Sequence, residues 1–335
     1  MLMKASYRPD RIKKISILLI IILTPGWIFF QCQTRPADSD PGASILLDES
    51  SLFAFDDCVS EVEFISLESP KDTLINLSCS IYELVISDKL YYASRCHNDL
   101  SIHSFDWKGH YIRSWNRKGD GPEEYPALHG LLVEKDQMYI NTGRGRVIKY
   151  VLPEFEFLQQ IPIGDFDFVP SISMITPEKF LISTEHTGQE TEQIFHIVDL
   201  QSAKANTLPV LSLPYSGELN PGMLAKTEDG HLLNFGLSDS IYQYRDGALS
   251  VLASLDFGER SIDPADFELE GGVFIEKVLL SQDYAFNTGH IATSGEIFKI
   301  MAYGIKRSPE FDSDNLTTFP FYDVYIHPES GKKKI

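Results

Sequence analysis

Four segments of this chain share one pattern: an aromatic-rich alternating run, a polar turn and a second short run. They are LSIHSFDWKGHYIRSW from Leu100, RVIKYVLPEFEFLQQI from Arg146, QIFHIVDLQSAKANTL from Gln193 and SIYQYRDGALSVLASL from Ser240. Their starts lie 46, 47 and 47 residues apart. Alternation of apolar and polar residues is the signature of a half-buried strand. A repeat built only of strands, with a period in the forties, predicts a radial array, the β-propeller. At 335 residues, an all-β array of this kind is one domain. Propellers host unrelated activities, so the fold class leaves function open.

A second marker runs in step with the first. A polar turn followed by an apolar strand occurs as SDKLYYAS at Ser87, EKDQMYIN at Glu134, TPEKFLIS at Thr176, EDGHLLNF at Glu228 and SGEIFKIMAYG at Ser294. With IYELVI, HGLLVE, SISMIT and GMLAKT just upstream of the first four, each unit reads as four antiparallel strands. The expected blades are 79–116, 128–163, 170–212 and 222–257. A fifth blade is irregular, with FIEKVLL and EIFKIMAYG as its first two strands and FYDVYIHPESGKKKI as its third strand and following turn. A short helical piece is expected at Asp263–Leu269, where Pro264 suits a first turn. Residues 45–68 read as β and would pack onto the array as a closing or flanking element. A six-bladed ring would lack most of its last blade. Either 45–68 supply part of it, or the array has five blades, or the chain is a shortened form.

The N-terminus reads as a targeting segment. Arg11, Lys13 and Lys14 precede an apolar stretch, Ile15–Leu23, which Thr24-Pro25-Gly26 ends. That stretch is short for a membrane span and suits a signal peptide. Cys32 follows it, as in a bacterial lipoprotein signal, although Phe29, Phe30 and Gln31 depart from the small residues expected there. The expected layout is a signal at 1–31, a flexible tether at 32–44 with Cys32 acylated, and a propeller at 45–335. An uncleaved anchor and ordinary cleavage remain as alternatives. The location that follows is the cell envelope, as an outer-membrane lipoprotein touching the membrane only through this anchor.

Residues 1–31 carry Lys4, Arg8, Arg11, Lys13 and Lys14 against Asp10, a balance of +4. The formal charge of −19 therefore becomes about −23 without them. Such a surface repels phosphate backbones and argues against nucleic acid as a partner. Export also permits disulfides. A two-residue turn at Ser87-Asp88 would place Ile86 opposite Lys89 and, carried down the ladder, Cys79 opposite Cys96. The alternative is two buried thiols.

Between the first two repeats the chain reads RKGDGPEEYP, Arg117–Pro126. Gly119, Gly121, Pro122, Glu124 and Tyr125 resemble the G-x-G-P-x-E-Y signature of a six-bladed β-propeller family common among exported lipoproteins of Bacteroidetes-type bacteria, relatives of NHL-type propellers. The resemblance covers about Val62 to Phe267. It implies a six-bladed propeller with an incomplete or irregular last blade, surface-exposed and non-enzymatic. On physical grounds the two glycines would supply positive φ beside Asp120, and Glu124 and Tyr125 would satisfy loop amides. The loop reads as a lock between blades, with ligand contact at Arg117, Asp120, Glu124 and Tyr125 as the functional alternative.

No nucleophile elbow, Walker loop, H-E-x-x-H, C-x-x-C or EF-hand loop occurs. Gly143-Arg144-Gly145-Arg146 opens no helix; it reads as a loop joining two strands, whose Arg144 and Arg146 would meet an anionic ligand. His97, His103 and His110 lack a metal-ligand spacing, and no metal or cofactor is expected. Asp165/Asp167 and Asp312/Asp314 are the pairs with the oxygens a Ca²⁺ ion requires. The functional expectation is a binding or scaffolding module for a protein, peptide or glycan. The rival is a propeller lyase or hydrolase with its site at a central channel.

Overall fold

A computed structural model describes residues 43–49, 61–69, 82–96, 99–185, 194–202, 204–210, 213–215, 222–295, 297–307 and 320–326, with short backbone segments at 2–7, 16–19, 29–30, 35–36, 53–54, 59–60 and 332–333 and the single residue 75. The protein is an all-β propeller of four-stranded antiparallel blades. Blade one comprises Tyr82–Ile86, Leu90–Ser94, Ile102–Phe105 and Tyr111–Trp115. Blade two comprises Gly130–Glu134, Gln137–Asn141, Arg146–Val151 and Glu156–Pro162. Blade three comprises Ser171–Thr176, Lys179–Ser183, Phe195–Asp199 and Lys204–Thr207. Blade four comprises Met223–Lys226, His231–Asn234, Ser240–Arg245 and Ala248–Asp256.

These residues form these strands for a simple reason. The second strand of a blade is covered on both faces, so it reads as a continuous apolar run rather than an alternating one. Leu90–Ser94 is buried at every position, whereas the outermost strand, Tyr111–Trp115, is exposed at its three central residues. Turn chemistry matches too. Asp246 and Gly247 both have positive φ, 51° and 83°, as a two-residue hairpin between Arg245 and Ala248 requires.

The chain divides into two compact units. In the first, blades one to three share two cores. One joins Tyr91, Ala93 and Ile102 of blade one to Leu131, Met138, Ile140, Ile148 and Tyr150 of blade two. The other joins Tyr139 and Val147 to Ile172, Phe180, Ile182 and Val198. In the second unit, Ala225, Leu232, Ile241 and Leu255 of blade four pack with Ile291, Phe298, Ile300 and Val324 of blade five.

Blade five departs from the sequence expectation. Its first strand is Phe286–Ser294, not FIEKVLL; Ile297–Tyr303 and Phe321–Ile326 follow. FIEKVLL is helical, spanning the end of a short α-turn at Gly271–Phe274 and a π-helical turn at Ile275–Leu279. Phe274 and Val278, four residues apart, are its fully buried positions, which is helical and not strand spacing. The short helix foreseen at Asp263 is present as a 3₁₀ turn, Pro264–Glu268, with the Asp263 side chain accepting from the Ala265 amide.

Five blades are present, not the six expected. The material that might have begun or finished a sixth is used otherwise. Ala43–Leu46 adds to the outer edge of blade four in parallel with Ala253–Asp256, and Ile45 and Leu47 enter that core. Segments Phe29–Phe30 and Phe53–Ala54 extend the sheet of blade five, and Lys332–Lys333 pairs with Arg35–Pro36. Residues 63–69 instead flank blade one, where the Glu68 amide donates to the Gly109 carbonyl at 2.8 Å.

The first hairpin is one residue out of the expected register. Ile86 faces Leu90 rather than Lys89, because Ser87, Asp88 and Lys89 all lie in the turn. The ladder ends at Ser94, so it does not govern Cys96, which instead bridges to Asp99. Cys96 is disulfide-bonded. Cys32 and Cys79 lie outside the described residues.

Candidate functional site

Each blade has two unlike ends. First-to-second and third-to-fourth strand connections are tight turns, such as 87–89, 106–110, 135–136, 152–155, 227–230 and 246–247. Second-to-third connections and the segments between blades emerge at the opposite end. Among the described residues these are, in the first unit, 95–96, 99–101, 116–129, 142–145, 163–170 and 184–185; in the second, 194, 208–210, 213–215, 222, 235–239, 257–285, 304–307 and 320. Antiparallel pairing forces this segregation, and it gathers the variable-length backbone at one end, the loop end.

The signature loop lies there, and its groups are spent internally. The Glu124 carboxylate accepts from the Gly121 amide at 2.9 Å. A Cβ on Gly119 would stand 1.9 Å from that carboxylate. Gly119 and Gly121 thus serve close approach; neither has the positive φ expected of them. Tyr125 is fully buried, donates to the Leu100 carbonyl at 3.0 Å and accepts from the Arg117 amide at 3.1 Å. Burial pushes its hydroxyl up to about 12. Arg117 pairs with Glu123 at 3.1 Å, its guanidinium 5.7 Å from the Tyr150 ring centre. Blade two closes the lock: Tyr150 donates to the Glu123 carbonyl at 2.7 Å and Gln160 to the Pro122 carbonyl at 2.6 Å. Asp120 is exposed.

A second cluster at the loop end of blades one and two is built differently. Arg95 follows the second strand of blade one and donates through Nε to the Leu128 carbonyl at 3.1 Å. His129 comes next to Leu128. Its ring is wedged between Gly143, where a Cβ would lie 2.4 Å from Cδ2, and the Phe168 ring, edge-on at 4.8 Å. Asn141 fixes the arrangement. Its side chain donates to the Val169 carbonyl at 2.8 Å and accepts from the Gly143 amide at 2.9 Å, and its carbonyl accepts from the His129 amide. Gly143 adopts φ +78°, which turns the chain so that Arg144 projects into solvent. Arg146 is partly buried. Burial, reinforced by Arg95 and Arg144, holds the His129 imidazole below its usual pKa, so it is neutral at pH 7.

Glu83, on the first strand of blade one, lies within the field of Arg95. Its Oε2 is enclosed and has no hydrogen-bond partner. Burial raises its carboxyl to about 7, against the lowering effect of Arg95 and of the Leu131 amide. Glu83, Arg95 and His129 were not singled out by sequence reasoning. The available signal was one acid inside the apolar run IYELVI.

The remaining candidates are isolated. His103 is buried with both ring nitrogens unpartnered, and His110 pairs with Asp106 at 2.9 Å. Asp165 and Asp167 are exposed, and Asp312 and Asp314 lie outside the described residues. Among the described residues no group of three histidines, cysteines or carboxylates is placed to hold a metal ion. In the second unit Asp266, buried, accepts from Lys277 at 2.5 Å and from Tyr284 at 2.8 Å, stapling the 257–285 segment to itself.

The profile of a domain of unknown function, DUF4934, matches residues 43–327. The chain belongs to that family. A DUF4934 assignment brings no activity with it. Among solved structures, the chain is similar to a protein of Bacteroides fragilis NCTC 9343 inferred to be exported (BF0058), at 14% identity over 78% of this chain and 75% of that one, with a TM-score of 0.53. That likeness shows a shared fold. Similarity to the computationally designed protein Ika8 (9% identity, 66% of this chain and 57% of that one, TM-score 0.32) and to the WD40 repeats of RRP9 (9% identity, 52% of each chain, TM-score 0.34) is too distant to carry an argument. The chain matches no curated protein.

Proposed function

We propose that this DUF4934 protein is an exported, lipid-anchored propeller that acts as a binding or scaffolding module, engaging a protein, peptide or glycan through its loop end. One observation carries the reading. Loops of irregular length collect at one end of the blades, and there Arg144 is exposed close to the His129 imidazole. Rigid sheets carrying variable loops are a common basis for recognition. Export is supported by the basic and apolar N-terminal stretch and by the inferred export of the Bacteroides fragilis relative. In this reading residues 1–31 are the signal, Cys32 carries the anchor at the outer membrane, and Cys79 is the partner of Cys96.

The test is a binding screen with paired variants. Arg144→Ala at the loop end should weaken capture of a glycan or peptide, and Lys108→Ala at the tight-turn end should not. The opposite pattern sinks the proposal. A Cys32→Ala variant should leave the membrane fraction, and peptide mapping under non-reducing conditions should recover Cys79 linked to Cys96.

A hydrolase or lyase reading draws on Glu83, since a carboxyl that titrates near neutrality has the character of a general acid. Its enclosed Oε2 argues for a supporting role instead. Turnover of a glycan that Glu83→Gln abolishes without loss of binding would establish the enzyme.

A further inference from the structure

We propose that Arg95, His129 and Arg144 form a recognition site for a carboxylate on the ligand, and that Glu83 tunes it with pH by acting on Arg95. This rests on the binding-module reading and names the chemistry of its loop end.

Geometry comes first. Three parts of the chain far apart in sequence converge: the exit of Leu90–Ser94, the entry to Gly130–Glu134, and the 142–145 loop. Arg95 donates to the backbone through Nε, and its Nη groups are the donors assigned to the ligand. Arg144 is exposed and outside every ion pair among the described residues. A guanidinium presents parallel N–H groups that match the two oxygens of a carboxylate. The imidazole between the two arginines is held by Gly143 and Phe168, so it is a fixed neutral group. In a chain of net charge −19, two guanidiniums near one histidine run against the prevailing sign.

The surroundings favour a singly charged anion over phosphate. The 163–169 segment packs on this loop, through Ile163 to Gly145 and Val169 to Gly143, and it carries exposed Asp165 and Asp167. Exposed Glu185 joins it through its amide to the Phe168 carbonyl at 3.3 Å. These acids leave too little positive charge for a dianion.

Glu83 supplies the regulation. The charged group it feels is Arg95, and the backbone it meets is Leu131 of blade two. Deprotonated, Glu83 draws on the field of Arg95 and opposes an incoming anion. Protonated, it frees Arg95 for the ligand. The sign is therefore fixed: carboxylate affinity rises as pH falls through about 7. Burial, Arg95 and Arg144 lower the His129 pKa, so any change of its charge is displaced to the acid side of its ordinary range.

The experiment is calorimetric titration of the full-length protein in mild detergent. The probes are glucuronate and N-acetylglutamate, with glucose and N-acetylglutamine as neutral controls. At least one acid should bind while its neutral control does not, and which acid binds tells a sugar-borne carboxylate from a peptide-borne one. Affinity should fall about tenfold from pH 6 to pH 8. Arg144→Ala should weaken it about tenfold or more, and Glu83→Gln should hold the pH 6 affinity at pH 8. Failure of both acids to bind overturns the site, as does binding with equal strength by acid and control. A pH dependence that survives in Glu83→Gln overturns the tuning role. If a neutral ligand binds the loop end and Arg144→Ala leaves it unaffected, the module reading stands and the carboxylate site falls.

Discussion

Two clusters lie where blades one and two meet, and they use polar residues in opposite ways. In 117–126, arginine, glutamate and tyrosine are turned inward. Arg117 is paired with Glu123, Glu124 closes on the Gly121 amide, and Tyr125 is bonded at both donor and acceptor. In the Arg95–His129–Arg144 cluster, backbone, asparagine and Arg95 Nε hold the frame while Arg144 is left over. A conspicuous motif marks where the fold needs particular residues. A site is marked by polar groups the fold has no use for, and those rarely sit together in sequence.

The largest effect that separates the two regions is expected at Tyr125. Truncation to alanine removes a fully buried ring and both of its bonds, and should cost about 3–5 kcal/mol in urea unfolding. Tyr125→Phe keeps the ring and should cost about 1–3 kcal/mol for the orphaned Leu100 carbonyl and Arg117 amide. Carboxylate binding by the phenylalanine variant should not change. If Tyr125→Phe lost binding but kept stability, the contrast between lock and site would collapse.

Glu83 gives the next effect, and its sign is opposite to that of a salt-bridged acid. Its folded-state pKa is raised by burial, from 4.5 to about 7, so the folded protein holds this proton more tightly than the unfolded chain. That contribution is fully present below pH 4.5 and is lost as pH rises through 7. Glu83→Gln should therefore be close to neutral at pH 4. At pH 8 it should be more stable than the parent by on the order of 2–3 kcal/mol. Unfolding midpoints at the two pH values decide it, and a variant less stable at pH 8 would show a carboxylate that is stabilised where it lies.

How much of this was legible depended on range. The period of the strand pairs located four blades, and Asp246-Gly247 announced its hairpin, because both follow from local backbone chemistry. FIEKVLL misled because its β-branched and aromatic residues favour strands. Tertiary packing of Phe274 and Val278 onto Leu237, Phe286 and Tyr303 made it helical. A two-residue turn at Ser87-Asp88 predicts one register; Lys89 also joins the turn, and one residue is enough to shift the ladder. Arg144 was visible in sequence as an arginine between glycines. Its neighbours Arg95 and His129 arrive from other strands, and no spacing encodes that meeting.

A smaller effect tests the lock at atomic detail. In Gly119→Ala the new methyl displaces the end of Glu124, and in Glu124→Ala the carboxylate is gone. Each should cost about 1–2 kcal/mol through the unpaired Gly121 amide. Because they remove one and the same contact, the double variant should cost clearly less than the two together. Full additivity would mean that Gly119 is required for some reason other than the carboxylate beside it.

The smallest effect is the one most particular to the comparison. Arg144 is exposed and supports no neighbour, so Arg144→Ala should change unfolding free energy by no more than about 0.5 kcal/mol. The change acts in solvent at the tip of a loop whose shape is set by Gly143 and Asn141, so the loop should persist without it. Its amide exchange should match the parent at Gly143 and Val169, the two amides that hold the loop. A loss above 1 kcal/mol, or faster exchange there, would place Arg144 with Glu124 and Tyr125 as part of the frame.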